Sequence, residues 1–555
     1  MAKKIITAWQ RLIRMLKLDK KDVRQVFYYA IFAGLVSLTL PLGIQAIINL
    51  IQGAQVTTSW IILVILVTLG VAFQGALQLM QIRIIENIQQ KIFTRSSFEF
   101  AYRFPKIKMS ELRNFYPPEL ANRFFDTLNI QKGISKLLID FPTALLQIIF
   151  GLLLLSLYHP FFIAYGILLL GLIYVVFKYT ITKGLETSLL ESKQKYKVAH
   201  WIQEVARCIV SFKLSGKTSH ALEKNDYLTE GYLKARENHF RILVLQFIQM
   251  VGFKILVTGG LLIIGGLLVL NQEMNIGQFV AAEIIILLVI SSVEKLIVGL
   301  ESFYDVLTAL EKLGQVVDME IEPQQKDLEL LDQEDFKVEL DTITYSVPDR
   351  QKPILDGISL QINPKDRILI RGTNGAGKSS VLHLVSGLIE PTKGNIFVNG
   401  VRLKAENLNH FRSKVGQSLK LETPFEGTLL NNITFNDTTI PKEDILWALE
   451  VTGLSHIVRE MDNGLDTMIF PEGKQISYTV AKKIVLARSL VKRPKLLVLR
   501  DPLDQFDAEE ADRIMDYLTH PDRPWSLMVV SDDPKWVTRC GRIINLADGK
   551  ILNNE

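Results

Sequence analysis

Cysteine is nearly absent: Cys208 and Cys540 are the two in a chain of 555 residues. Two thiols so far apart exclude a disulfide framework and a cysteine-based metal site, and such sparing use suits a cytosolic face. No cleavable signal peptide is expected at the start. Its first residues, "MAKKIITAWQRLIRMLKLDKKDVRQ", form a short amphipathic segment with basic flanks and no small-residue cleavage site. A formal net charge of +5 is too small to argue for a polyanionic partner, and no nucleic acid is expected. Lys and Arg are missing altogether from three short stretches, 52–57, 158–160 and 271–276.

What is plentiful is hydrophobicity, at 48% of residues, and it is concentrated between residues 25 and 300. A bilayer crossing needs about 20 apolar helical residues. Six segments qualify, at about 25–51, 58–82, 139–157, 161–181, 242–270 and 277–299. Pro41 is expected to kink the first. Only "YHP" and its neighbours separate the third from the fourth, which predicts a tight helical hairpin.

The basic residues orient these spans. The three stretches without Lys or Arg alternate with the N-terminal segment and with 83–138 and 182–241, which are rich in both. By the positive-inside rule, the two long connections and both chain termini are cytosolic. The long connections show helical apolar periodicity, so the membrane helices are expected to run on into the cytosol.

A few polar residues fall at membrane depth. Lys254 and Glu294 lie roughly 25 Å in from their outer turns at ~1.5 Å per residue, which places them at the inner headgroup edge, where they can snorkel. Glu283 is a candidate for lining a cavity, as are Gln74, Gln78, Gln246 and Gln249 among mostly apolar neighbours.

Residues 316–336, acidic and with one proline, read as a linker, and 337–555 as a soluble α/β domain. Within it "RILIRG" reads as a buried strand, "GTNGAGKSS" as a loop and "KSSVLHLVSGLI" as a helix with an apolar face. A strand, then G-x-x-x-x-G-K-[ST], then a helix is the context of a phosphate-binding loop. Gly372, Gly375 and Gly377 let the backbone close on phosphate, with Thr373, Asn374 and Ala376 between them. Lys378 can bridge the outer phosphates, Ser379 can ligate Mg²⁺, and Ser380 completes the turn into the helix.

Six spans with long cytosolic extensions, followed by such a domain, resemble the ATP-binding cassette (ABC) exporters over nearly the whole chain. The stretches "FYPPELANRFFDTLNIQKGISKLLIDF" (115–141) and "LPLGIQAIINLI" are similar to bacterial toxin and bacteriocin exporters. The resemblance implies an α-helical membrane domain of exporter type, 25–315, behind an elbow segment, 1–24, with no peptidase domain before it. It also implies a C-terminal α/β P-loop nucleotide-binding domain. Such a half-transporter would bind ATP and act as a homodimer, or as a heterodimer with a second half-transporter, in the inner (plasma) membrane. A periplasmic adaptor is a candidate further partner.

The family's site residues carry over unevenly. "SKVGQ" puts Gln417 at the position of the glutamine that touches the metal, so Ser379 and Gln417 would be its ligands if Mg²⁺ binds. Where the family has L-S-G-G-Q, this chain has "ISYTV" (476–480), with Tyr478 and Thr479 in place of both glycines and Val480 unable to bond through its side chain. Arg500 stands where the family has the aspartate that supports magnesium. Asp501 replaces the glutamate that polarises water, and Asp532 the switch histidine. At the adenine-stacking position Val347 occupies the strict place, with Tyr345 two residues earlier.

Losing one oriented group of this kind costs about 10²–10³ in rate, and since the resemblance implies ATP sites each built from motifs of two cassettes, the replacements affect both halves of such a site. The expectation is a subunit that binds ATP and hydrolyses it poorly or not at all while serving export of a peptide, lipid or hydrophobic small molecule. The alternatives are a normal exporter ATPase that tolerates these residues, and a membrane scaffold that uses nucleotide only to set dimer geometry.

Overall fold

The computed structural model describes residues 7–52, 58–323, 336–348, 350–420 and 422–554, so most of the expected linker 316–336 and of the stretch 52–57 lie outside the described residues. The chain divides into two compact units. Residues 1–107 with 112–319 form one, and 108–111 with 320–555 form the other.

The first unit is helical and contains six helical segments long and apolar enough to cross a membrane. An opening helix, Ala8–Leu18, is closed by a capping box between Thr7 and Gln10. Its Trp9 ring lies 5.1 Å from Phe303, and Arg11 pairs with Glu311 and Asp318.

The first span is interrupted where proline chemistry requires it. Helix Lys20–Ser37 ends and helix Thr39–Gln52 begins around Leu38. Pro41 has no N–H to offer the Ser37 carbonyl four residues back, and its ring crowds that carbonyl.

Four of the remaining helices outrun any bilayer. Thr58–Arg103 has 46 residues, about 70 Å at 1.5 Å each, against a hydrocarbon core of ~30 Å. Phe161–Arg207, His220–Leu270 and Ile276–Val317 are comparably long, so the expected spans are parts of longer continuous helices. The hairpin at "YHP" is present, joining Phe141–Ser156 to Phe161–Arg207. On Thr58–Arg103 the residues Ile61, Ile62, Ile65, Leu66 and Leu69 are exposed, an apolar stripe that suits a lipid solvent. Ala144, Ile148, Tyr165, Val257, Ile285 and Val289 form the interior between helices.

One expectation for the membrane unit changes. Gln246 does not line an open space: it is buried, and its Nε2 donates to the Tyr304 hydroxyl at 2.9 Å, because a buried amide needs a partner. Lys254 and Glu294 pair at 2.6 Å between adjacent helices, and each side chain is still more than a third exposed. Glu283 and Gln74 are half-buried, and Gln78 is exposed. Gln249 is half-buried, and its side-chain oxygen has no hydrogen-bond partner among the described residues.

The second unit holds two main sheets. Strands Leu355–Ile362, Val338–Tyr345, Lys393–Val398 and Val401–Arg402 pair antiparallel in that order. The larger sheet runs Lys550–Asn554, Arg542–Ala547, Arg367–Gly372, Ser526–Val530, Leu496–Arg500, Val415–Ser418. It is parallel except at the outer pair 542–547 and 550–554.

Parallel strands are covered on both faces and therefore read as unbroken apolar runs. Leu496, Val498, Met528 and Val530 pack on one side with helix Lys378–Val385. Leu497, Leu499, Leu527 and Val529 pack on the other with helices Tyr478–Leu490 and Ala508–Thr519. The register sets Ile370, Val530 and Arg500 in one row, so Arg500 is level with the end of the strand that leads into the loop.

Candidate nucleotide site

The loop after strand Arg367–Gly372 turns on glycine. Gly377 has φ +102°, and a Cβ there would lie 2.6 Å from Leu355 Cδ2 and 3.0 Å from the Ile354 carbonyl oxygen. At Gly372 a side chain would run into the Leu546 carbonyl of the neighbouring strand. Only glycine fits either place. Thr373, Asn374 and Gly375 are exposed, Ala376 is buried, and Gly377, Ser379 and Ser380 are half-buried. The loop closes on itself through Ala376 N–H to Thr373 O at 3.2 Å. The first amides of helix Lys378–Val385 have no partner within their own helix and point out of its N-terminus, which favours an anion.

Lys378 is buried, and its Nζ folds back onto the loop, donating to Gly372 O and, at 3.4 Å, to Thr373 O. Carbonyls satisfy its N–H groups without neutralising its charge. A cradle of amides around a buried ammonium fits a polyphosphate.

Ser379 is where the site departs from a metal centre. Its Oγ accepts from Arg500 Nη1. Arg500 Nε lies 3.8 Å from Asp501 Oδ2, outside hydrogen-bond range, and has no hydrogen-bond partner among the described residues. Gln417 sits on strand Val415–Ser418 opposite Val498, on the same sheet face as Arg500 because side chains alternate with period two. His383, one turn along the helix, has its pKa lowered by burial and then by the Arg500 cation.

Mg²⁺ in oxygen sites is ordinarily held by carboxylates, waters and phosphate oxygens. At Ser379 the neighbouring side chain is a guanidinium, and the hydroxyl already serves as its acceptor. These residues do not fit a divalent cation in that place, whereas the loop fits phosphate.

The acids lie just beyond. Asp501 takes φ +43°, and its N–H bonds Val530 O at 2.9 Å. Burial pushes its carboxyl above the ordinary range. The Arg500 charge and a Ser531 hydrogen bond oppose this, and the charges of Asp532 and Asp504 reinforce it. Asp532 is exposed.

The "ISYTV" segment starts helix Tyr478–Leu490, with Ser477 Oγ capping Val480 N–H at 3.3 Å. Tyr478 is half exposed, and Thr479 Oγ1 donates to Gln505 O at 3.3 Å. This segment thus bonds to the turn after Asp501. Val347 is buried, and Tyr345 is half-buried and packs partly against the core.

The structure brings 372–380, Gln417 and Arg500 to one sheet edge. Ser531, His383 and the buried Lys482 beneath Tyr478 were not singled out from the sequence. The one available hint was Lys482 itself, a charged residue inside an apolar helical pattern.

Comparison with known proteins agrees with this architecture. The family model of the ABC transporter transmembrane region matches residues 26–293, and that of the ABC transporter matches 355–504. An ATP-dependent lipid A-core flippase of Burkholderia orbicola (strain AU 1054) is 26% identical over 307 residues, 55% of this chain and 51% of that protein. The alpha-hemolysin translocation ATP-binding protein HlyB of Escherichia coli O157:H7 is 24% identical over 282 residues, 51% of this chain and 40% of that one. The chain spans about half or less of the length of these curated relatives. A solved bacterial Atm1-family ABC exporter with ATP bound superposes with a TM-score of 0.84 at 15% identity, covering 96% of this chain and 95% of that one. With a transmembrane region and a cassette matched in that order, the chain belongs to the ABC transporters.

Proposed function

We propose that this half-transporter binds ATP at the 372–380 loop and uses binding, more than hydrolysis, to drive or gate export across the plasma membrane. Both termini would be cytosolic, and the working unit would be a dimer with itself or with a second half-transporter. A peptide, lipid or hydrophobic small molecule is the expected cargo. Relatives named for lipid A-core, leukotoxin and hemolysin fit that breadth, as does the apolar character of the spans.

The observation that carries this reading is the phosphate loop whose Ser379 faces Arg500 in place of a carboxylate. Phosphoryl transfer depends on positioning and charge stabilisation, and Asp501, Asp532 and the Tyr478–Thr479 pair each depart from what those tasks need. The test is Mg²⁺-dependent ATP hydrolysis by the purified full chain in lipid, beside a Lys378→Ala control. Turnover at the level of the control is expected. Hydrolysis well above it, without a partner subunit, would overturn the reading.

A further inference from the structure

We infer that the 372–380 loop takes a nucleoside triphosphate without a divalent cation, with the Arg500 guanidinium standing in the metal's place. This rests on the nucleotide-binding reading above and specifies the form of nucleotide the site accepts.

Three observations support it. The first is position: the row Ile370–Val530–Arg500 puts the guanidinium at the carboxyl edge of the sheet, beside the strand end from which the loop departs. Ligands of parallel sheets bind at that edge.

The second is the use of its donors. Arg500 Nη1 reaches Ser379 Oγ, the hydroxyl a bound cation would need. A guanidinium carries five N–H donors in a planar fork. Nε makes no hydrogen bond among the described residues, and the nearest carboxylate, Asp501, is 3.8 Å away. The fork therefore keeps a buried donor unsatisfied, and paired guanidinium donors match phosphate oxygens.

The third is charge. A metal-free triphosphate carries about four negative charges, and Mg²⁺ would cancel two. Lys378 and Arg500 supply two positive charges, and the helix N-terminus adds about half of one. His383 is held toward its neutral form, so it does not repel Arg500. A divalent ion placed beside Arg500 would meet a like charge at short range.

The competing arrangement turns Arg500 onto Asp501 and leaves the site merely damaged. The geometry works against it: Nη1 is engaged with Ser379 Oγ, and Nε stays 3.8 Å from Asp501 Oδ2, outside hydrogen-bond range.

The experiment titrates ATP into the full-length protein in nanodiscs by calorimetry, once with excess Mg²⁺ and once with excess EDTA. Affinity in EDTA is expected to stay within about threefold of that in Mg²⁺, since Arg500 supplies the charge-assisted contacts. Arg500→Asp is expected to lose at least about tenfold in EDTA and to regain affinity with Mg²⁺. Arg500→Gln should lose affinity in EDTA without gaining metal dependence.

Electron paramagnetic resonance with Mn²⁺ gives a second readout. Wild-type protein with ATP should show no protein-bound Mn²⁺ signal, and Arg500→Asp should show one. A loss of about tenfold or more on chelation in the wild-type protein would overturn the inference while leaving nucleotide binding intact. Absence of ATP binding under both conditions would defeat the nucleotide reading itself.

Discussion

Arg500 Nη1 donates to the hydroxyl of Ser379, joining the end of strand Leu496–Arg500 to the first turn of helix Lys378–Val385. In this role the serine is an acceptor for a guanidinium. Ser379→Ala should therefore remove one hydrogen bond, worth about 1 kcal/mol, and change ATP affinity by no more than roughly fivefold. Calorimetry on the purified variant checks this. Abolished binding would show that the hydroxyl does more than hold Arg500.

Lys378 is the buried ammonium of the loop. Lys378→Ala should weaken ATP binding by about 1.5–3 kcal/mol, the range of a hydrogen bond to a charged group, or roughly 10- to 150-fold. Equal affinity in variant and parent would exclude the loop as the nucleotide site.

Gly377→Ala tests the backbone. At φ +102°, with Leu355 Cδ2 and the Ile354 oxygen close to where a Cβ would sit, the cost should be about 1–3 kcal/mol. A lower melting temperature of the cassette transition is expected. A change within error would mean the loop relaxes freely.

His383 gives a pH dependence. Burial, then the Arg500 charge, lowers its pKa in the folded protein. The unfolded chain therefore takes up the proton first as pH falls below the ordinary value of about 6.5. The stability contributed by neutral His383 is full above that value and is lost as pH drops from there toward the lowered folded pKa. Melting curves at neutral and mildly acidic pH should show a smaller decline for His383→Gln than for the parent, and identical declines would exclude the effect.

Lys254 and Glu294 pair at 2.6 Å while each remains about one-third or more exposed, 36% and 41%. In lipid, a single Lys254→Leu leaves a lone carboxylate and a single Glu294→Leu a lone ammonium. The double variant should be more stable than the sum of the singles predicts, with a coupling near the low end of about 0.5–3 kcal/mol given that exposure. Additive losses would mean the charges act independently.

Topology can be checked in intact cells. In a chain freed of Cys208 and Cys540, a cysteine at Asn271 should react with an impermeant reagent and one at Lys213 should not, because the 271–276 stretch lacks basic residues. The reverse pattern would invert the orientation.

Much of this protein is local in its sequence. Runs of about 20 apolar residues can be stable only as buried or lipid-facing helices, so six spans, the tight turn at 157–160 and the break near Pro41 follow from composition and backbone chemistry alone. The phosphate loop is equally local. Nine consecutive residues carry the glycines, the lysine and the hydroxyl, and the flanking strand and helix are each continuous in sequence.

Relations between distant residues were decided only by the folded chain. Gln246 is as polar as Gln78, yet it is spent on Tyr304, 58 positions away. Lys254 and Glu294 each suit a headgroup edge singly, and only the packing of two helices sets them against each other. The sequence placed Arg500 where a metal-supporting acid is expected, but whether it turned to solvent, to Asp501 or to the loop depended on strand register. Parallel pairing across Ser526–Val530 aligns Arg500 with Ile370 and leaves Ser379, 121 residues earlier in the chain, as its acceptor. No local pattern encodes that contact, because it exists only once three strands and one helix have assembled.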